Sequence, residues 1–122
     1  MQKTILIIED DESNRRILEM AVRGPTVRVL TALNGEEGVV MAERENPDLI
    51  FLDVNMPKLS GLDVLRRIRV QAGLAKVPVV VISAKAAEQD RKNALEVGAT
   101  TFITKPFRVK SIQEALEKYL TR

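Results

Sequence analysis

Residues 4–11 read Thr4-Ile5-Leu6-Ile7-Ile8-Glu9-Asp10-Asp11. The aliphatic run is too short for a helix, is rich in β-branched isoleucine and has no polar alternation. It therefore fits a strand buried on both faces of a parallel sheet. Runs of similar character occur at Val27–Leu30, Leu49–Leu52, Val79–Ile82 and Thr100–Thr104. Longer stretches with helical spacing lie between them. Asn14–Arg23 carries Ile17, Leu18 and Ala21 and stops at Gly24-Pro25. Asn34 and Glu37 have capping-box spacing for a helix that runs to Asn46-Pro47, and Ser60 and Asp63 repeat the spacing ahead of a Leu62, Leu65, Ile68 stripe. Ala87–Val97 ends at Gly98, and Val109, Ile112, Leu116 and Leu120 form one face of a last amphipathic helix. Strand and helix alternate five times, which predicts an α/β, doubly wound open parallel sheet with helices on both faces.

With 122 residues the chain suits one domain, spanning 1–122. Its 19 Lys plus Arg nearly balance 17 Asp plus Glu. No Lys/Arg block of five or more appears, so the basic balance is at best a weak hint of nucleic-acid binding, and no direct nucleic-acid partner is expected. The absence of His and Cys excludes the usual zinc sites, thiol catalysis and a Ser-His-Asp triad. No apolar run approaches the roughly 18–20 residues that span a bilayer, and the start of the chain lacks signal-peptide character, so a cytoplasmic protein away from membranes is expected.

The polar residues fall at one end of the strands. Glu9, Asp10 and Asp11 follow Ile8, Asp53 follows Leu52, Ser83 follows Ile82, and Lys105 follows Thr104. Ligands of open α/β sheets bind beyond the carboxyl ends of the strands, where strand order reverses. In a five-stranded sheet of order 2-1-3-4-5 that point lies between strands one and three, which bring Glu9, Asp10 and Asp53 together. Crowded carboxylates need a positive partner. An all-oxygen donor set favours Mg²⁺, and Lys105 supplies a second positive charge. Such a site suits phosphoryl transfer with Asp53 as nucleophile and Ser83 as a hydrogen-bond donor to a phosphoryl oxygen. Asp11 and Glu12 read more simply as a helix cap or solvated loop residues.

These segments resemble the receiver domain of two-component response regulators. The motifs are Ile7-Ile8-Glu9-Asp10-Asp11, Leu52-Asp53-Val54-Asn55-Met56-Pro57 with Gly61, Ile82-Ser83-Ala84, and Phe102-Ile103-Thr104-Lys105-Pro106-Phe107. The resemblance implies the 2-1-3-4-5, flavodoxin-like sheet. It implies Asp53 as phosphoacceptor, with Glu9, Asp10, Asp53 and the Asn55 backbone carbonyl as the Mg²⁺ set, Asp10 directly and Glu9 through water. It also implies Ser83 and Phe102 as switch residues, Lys105 as the conserved-type lysine with a cis bond to Pro106, and Asn55 and Lys85 at positions that tune phosphoryl lifetime. For Phe102 a plain core role is equally open, and for Lys85 a solvated surface role is favoured. Ser83 stands where Thr is commoner, and Phe102 lacks the hydroxyl of Tyr.

By the same resemblance the phosphoryl group comes from a sensor histidine kinase or phosphotransfer protein. A downstream protein target then reads the face of helix 4, strand 5 and helix 5. The expected form is either a free-standing receiver, modestly favoured, or a receiver cut from a longer regulator; it is monomeric or weakly dimeric on phosphorylation, and a switch rather than a turnover enzyme. A phosphohydrolase would want a carboxylate where Asn55 stands. A flavin-binding domain would want a hydroxyl- and Gly-rich loop where Glu9–Glu12 stand. An inactive receiver would not need the full set of Asp10, Asp53, Ser83 and Lys105.

Overall fold

The apolar runs become five parallel strands: β1 (Lys3–Ile8), β2 (Val27–Ala32), β3 (Leu49–Asp53), β4 (Val79–Ser83) and β5 (Thr101–Thr104). Five helices cross between and after them: α1 (Glu12–Val22), α2 (Gly35–Glu45), α3 (Gly61–Arg69), α4 (Glu88–Val97) and α5 (Val109–Tyr119), with a short 3₁₀ turn at Ala72–Leu74. This computed structural model describes residues 2–56, 60–84 and 87–120. Lys85 and Pro57 lie outside the described residues. The sheet order is β2-β1-β3-β4-β5, as the resemblance implies.

Strand alternation divides the core in two. Leu6, Ile8, Ile50, Leu52, Val79 and Val81 face α2, α3 and α4, where they meet Ala42, Val64, Leu65, Ile68 and Ala94. Ile5, Ile7, Leu49, Phe51, Val80 and Ile82 face α1 and α5, where they meet Leu18, Ala21, Ile112 and Ala115. β1, β3 and β4 are therefore buried on both faces, which explains their unbroken aliphatic character.

Local signals set most helix ends. Asp11 accepts a hydrogen bond from the Asn14 N–H at 2.8 Å and so starts α1 at Glu12, two residues ahead of the sequence-based Asn14. Asn34 caps α2 by accepting from the Glu37 N–H at 2.9 Å. The Glu37 carboxylate reaches back to the Leu33 N–H rather than to that of Asn34, a capping box displaced by one residue. Ser60 caps α3 through the Leu62 N–H, while Asp63 pairs with Arg66. Gly98 ends α4 at φ 122°, a conformation that strains any residue with a Cβ.

Further sequence expectations shift. β2 runs on to Ala32, because Thr31 and Ala32 pair with Ile7 and Ile8. On α5, Val109 is exposed in the first turn and Ala115 joins Ile112 in the core instead. Leu116 and Leu120 stay on the core side, so the expected face holds except at its first residue.

Candidate functional site

Register brings the strand ends together. Ile8 pairs with Leu52, so the next residues of the two strands, Glu9 and Asp53, emerge side by side at the point where strand order reverses. Ile82 pairs with Asp53 and Thr104 with Ser83, so Ser83 and Lys105 lie one residue further along the same rim. The Lys105 N–H donates to the Ser83 carbonyl at 2.8 Å, carrying the β4–β5 ladder past the end of β5. The Lys105–Pro106 bond is cis.

Glu9, Asp10 and Asp53 each place a carboxylate oxygen within 4.8 Å of the others. Their environments differ sharply. Glu9 and Asp53 are buried, whereas Asp10 is exposed. Asp53 Oδ1 accepts from the Asn55 N–H at 2.9 Å, and Oδ2 lies 3.1 Å from Lys105 Nζ. Glu9 Oε2 accepts from the Asp11 N–H at 3.2 Å. Glu9 Oε1 is buried with no hydrogen-bond donor among the described residues, and Lys105 Nζ stands 3.6 Å away. Burial pushes the Glu9 carboxyl up to about 8, helped by hydrogen bonding with Asp53 and by repulsion from its charge. Lys105, the one ammonium beside the pair among the described residues, opposes that rise without cancelling it.

That orphaned oxygen and the three converging carboxylates form an all-oxygen, electron-rich pocket. Its donor set fits a hard divalent cation, and the exposed Asp10 leaves the cluster open on the solvent side.

Ser83 is buried at the end of β4 and lines a cavity of about 150 Å³ together with Asn55, Asp90, Asn93 and Phe102. Phe102 is half-buried on the edge strand and packs partly against the α2–α4 side of the core, so it is neither plain core nor plain surface. Two contributions escaped the sequence reading: a side-chain contact of Asn55, which was expected there in other roles, and Arg15. The Asn55 side chain accepts from the Ala84 N–H at 2.6 Å, tying the loop after β3 to the loop after β4. Arg15, one turn into α1, donates to the Glu9 and Asp10 carbonyls at 3.5 and 3.4 Å. Its position three residues after Glu12, at the end of the acidic run, was the available signal, though no spacing rule points a helical arginine backwards.

A family model described as response regulator receiver domain matches residues 5–117. This chain belongs to that family. Receiver domains are the phosphorylated modules of two-component response regulators. Along its full length the receiver is 38% identical to the alkaline phosphatase synthesis transcriptional regulatory protein PhoP of Bacillus subtilis, where it covers 50% of that protein. The chain spans about half the length of the curated relatives it matches. Among solved structures it is similar to the receiver domain of the sensor histidine kinase PA1611 of Pseudomonas aeruginosa, with 31% identity, a TM-score of 0.89 and full coverage of both chains. That structure has a magnesium ion coordinated in its active site cleft. The phosphorylated cyanobacterial phytochrome response regulator RcpA is 28% identical, with a TM-score of 0.86 over 99% of this chain and 96% of its own. No helix among the described residues is long and apolar enough to cross a membrane.

Proposed function

We propose that this receiver accepts a phosphoryl group on Asp53, in a Mg²⁺-dependent reaction, from a histidine kinase or phosphotransfer protein. The observation that carries the proposal is the Asp53 carboxylate itself. One oxygen is held by the Asn55 N–H, the other faces Lys105, and two further acids stand beside it. In the transfer a new P–O bond forms at an Asp53 oxygen while the donor's P–N bond breaks. The electron pair stays on the donor imidazole, which then takes a proton. Lys105 neutralises charge on the phosphoryl oxygens, and Ser83 reaches them through its hydroxyl.

Glu9, Asp10, Asp53 and the Asn55 carbonyl are the groups that would hold Mg²⁺. The bound ion supplies charge neutralisation at the phosphoryl oxygens. Ser83 and Phe102, flanking one cavity, carry the change to α4, β5 and α5, the face offered to a downstream protein. The module is a self-phosphorylating and slowly self-hydrolysing switch of the cytoplasm. Its proposed partners are proteins. Because relatives named as transcriptional regulators are about twice as long, the exclusion of nucleic acid extends no further than the receiver itself.

Acetyl phosphate with Mg²⁺ should add one phosphoryl mass to the protein, and Asp53→Asn should abolish the addition. No adduct in the parent chain, or an undiminished adduct in D53N, refutes the assignment. Steady phosphate release from small phosphate esters would favour a hydrolase instead.

A further inference from the structure

The three acids of the site are not held equally. Glu9 is buried and accepts from the Asp11 N–H, and Asp53 is fixed between the Asn55 N–H and Lys105. Asp10 is exposed, and among the described residues no hydrogen bond or ion pair reaches its carboxylate. The direction of that carboxylate is therefore set by the backbone that carries it.

One side chain grips that backbone. Arg15 Nη1 is shared between the Glu9 carbonyl at 3.5 Å and the Asp10 carbonyl at 3.4 Å, the long arms of a three-centre bond. Those two carbonyls belong to the peptides immediately before and after Asp10. The first turn of α1 closes the unit, because the Arg15 N–H donates to the Asp11 carbonyl at 2.9 Å and the Asn14 N–H to the Asp11 side chain at 2.8 Å. Helix energetics does not account for an arginine here. A cation this near a helix N-terminus opposes the helix dipole. The next residue, Arg16, is compensated by Glu12 at 2.8 Å. Arg15 is half-buried and forms no ion pair among the described residues, and its donors go to the two carbonyls instead.

We propose that Arg15 is the positioning residue for Asp10: by holding the peptides on both sides of it, the guanidinium aims this exposed carboxylate into the cation site it forms with Glu9 and Asp53. This rests on the Mg²⁺ set named above. Two effects of opposite sign meet at Arg15. Its charge repels an arriving dication, whereas its grip removes backbone freedom that Asp10 would otherwise lose on binding. Groups that orient a metal ligand are worth about 10–100-fold in metal affinity. Repulsion from a guanidinium that is partly open to water is screened to about a few-fold. The grip therefore outweighs the repulsion.

Titration of the intact chain with Mg²⁺, followed through the backbone amide shifts of residues 9–11 and 53, separates the two effects. Arg15→Lys keeps the charge but replaces the planar fork with a compact, strongly hydrated ammonium, so the Mg²⁺ dissociation constant should rise about tenfold. Arg15→Met loses grip and repulsion together, and its constant should rise by a smaller factor, roughly two- to threefold. In metal-free buffer both variants should keep the parent's amide shifts outside residues 8–16, so that the weakened affinity is read on a folded chain. Shifts spread through both layers of the core would make Arg15 a residue of the fold and overturn the proposal. An R15K constant equal to the parent's overturns it, as does an R15M constant below the parent's, which would assign Arg15 a purely electrostatic effect. A parent chain whose amides do not respond to Mg²⁺ overturns the metal set and the proposal together.

Discussion

Replacing Glu9 by glutamine isolates the electrostatic strain of the site. The Glu9 carboxyl is wholly buried, one oxygen has no donor among the described residues, and its pKa stands at about 8 against 4.5 unperturbed. Between those values the folded chain holds a proton that the unfolded chain has released. Stability must therefore fall as pH rises. The contribution of protonated Glu9 is complete below pH 4.5, declines through the window and is exhausted above about 8. The limiting slope is about 1.4 kcal/mol per pH unit. From pH 6 to 8, with Lys105 nearby and the rim open to water, the loss from this group should be about 2 kcal/mol. The glutamine side chain is neutral throughout, has nearly the same shape and can donate toward Asp53, so Glu9→Gln should lack this component. The assay is urea unfolding of both chains in metal-free buffer at pH 6 and pH 8. Relative to the parent, the E9Q midpoint should gain on the order of 1 M urea between the two pH values. Midpoints that run parallel across that interval would refute a buried, proton-holding Glu9, because every other titrating group is shared.

Two further substitutions probe the frame around the site. Lys105→Met leaves Asp53 buried without its cation, and in metal-free buffer it should lower stability by about 3 kcal/mol, the low end of the range for a broken buried pair because Lys105 is partly exposed. A urea midpoint equal to or above that of the parent would count against the Lys105–Asp53 contact as a stabilising one. Gly61→Ala forces a Cβ onto the backbone and side chain of Val54, the residue after Asp53, and a backbone neighbour cannot rotate away. It should cost about 1–3 kcal/mol and shift the thermal midpoint down by several degrees. Gly24→Ala, with nothing nearer than Val27 at 3.9 Å, is the matched control and should stay within about 0.5 kcal/mol of the parent. Similar melting of the two alanine variants would show that the loop after β3 has slack.

The sequence by itself determined the elements that depend on near neighbours. Five aliphatic runs marked five strands because doubly covered strands need apolar residues on both faces. Asn34, Asp11, Ser60 and Gly98 marked helix ends because caps act across two to four residues. The carboxyl-end placement of Glu9, Asp10, Asp53, Ser83 and Lys105 was legible for the same reason, since each simply follows its run. Tertiary structure alone decided how those residues differ. Glu9 and Asp10 are adjacent in sequence, yet one is buried with an orphaned oxygen and the other is exposed, because only the first is enclosed where β1 meets β3. The Asn55–Ala84 tie and the hydrogen bond from Arg69 Nε to the Gly98 carbonyl each join residues 29 positions apart. No local pattern encodes such a contact. It exists because β3 registers with β4, and α3 packs beside α4, at distances set by the whole core.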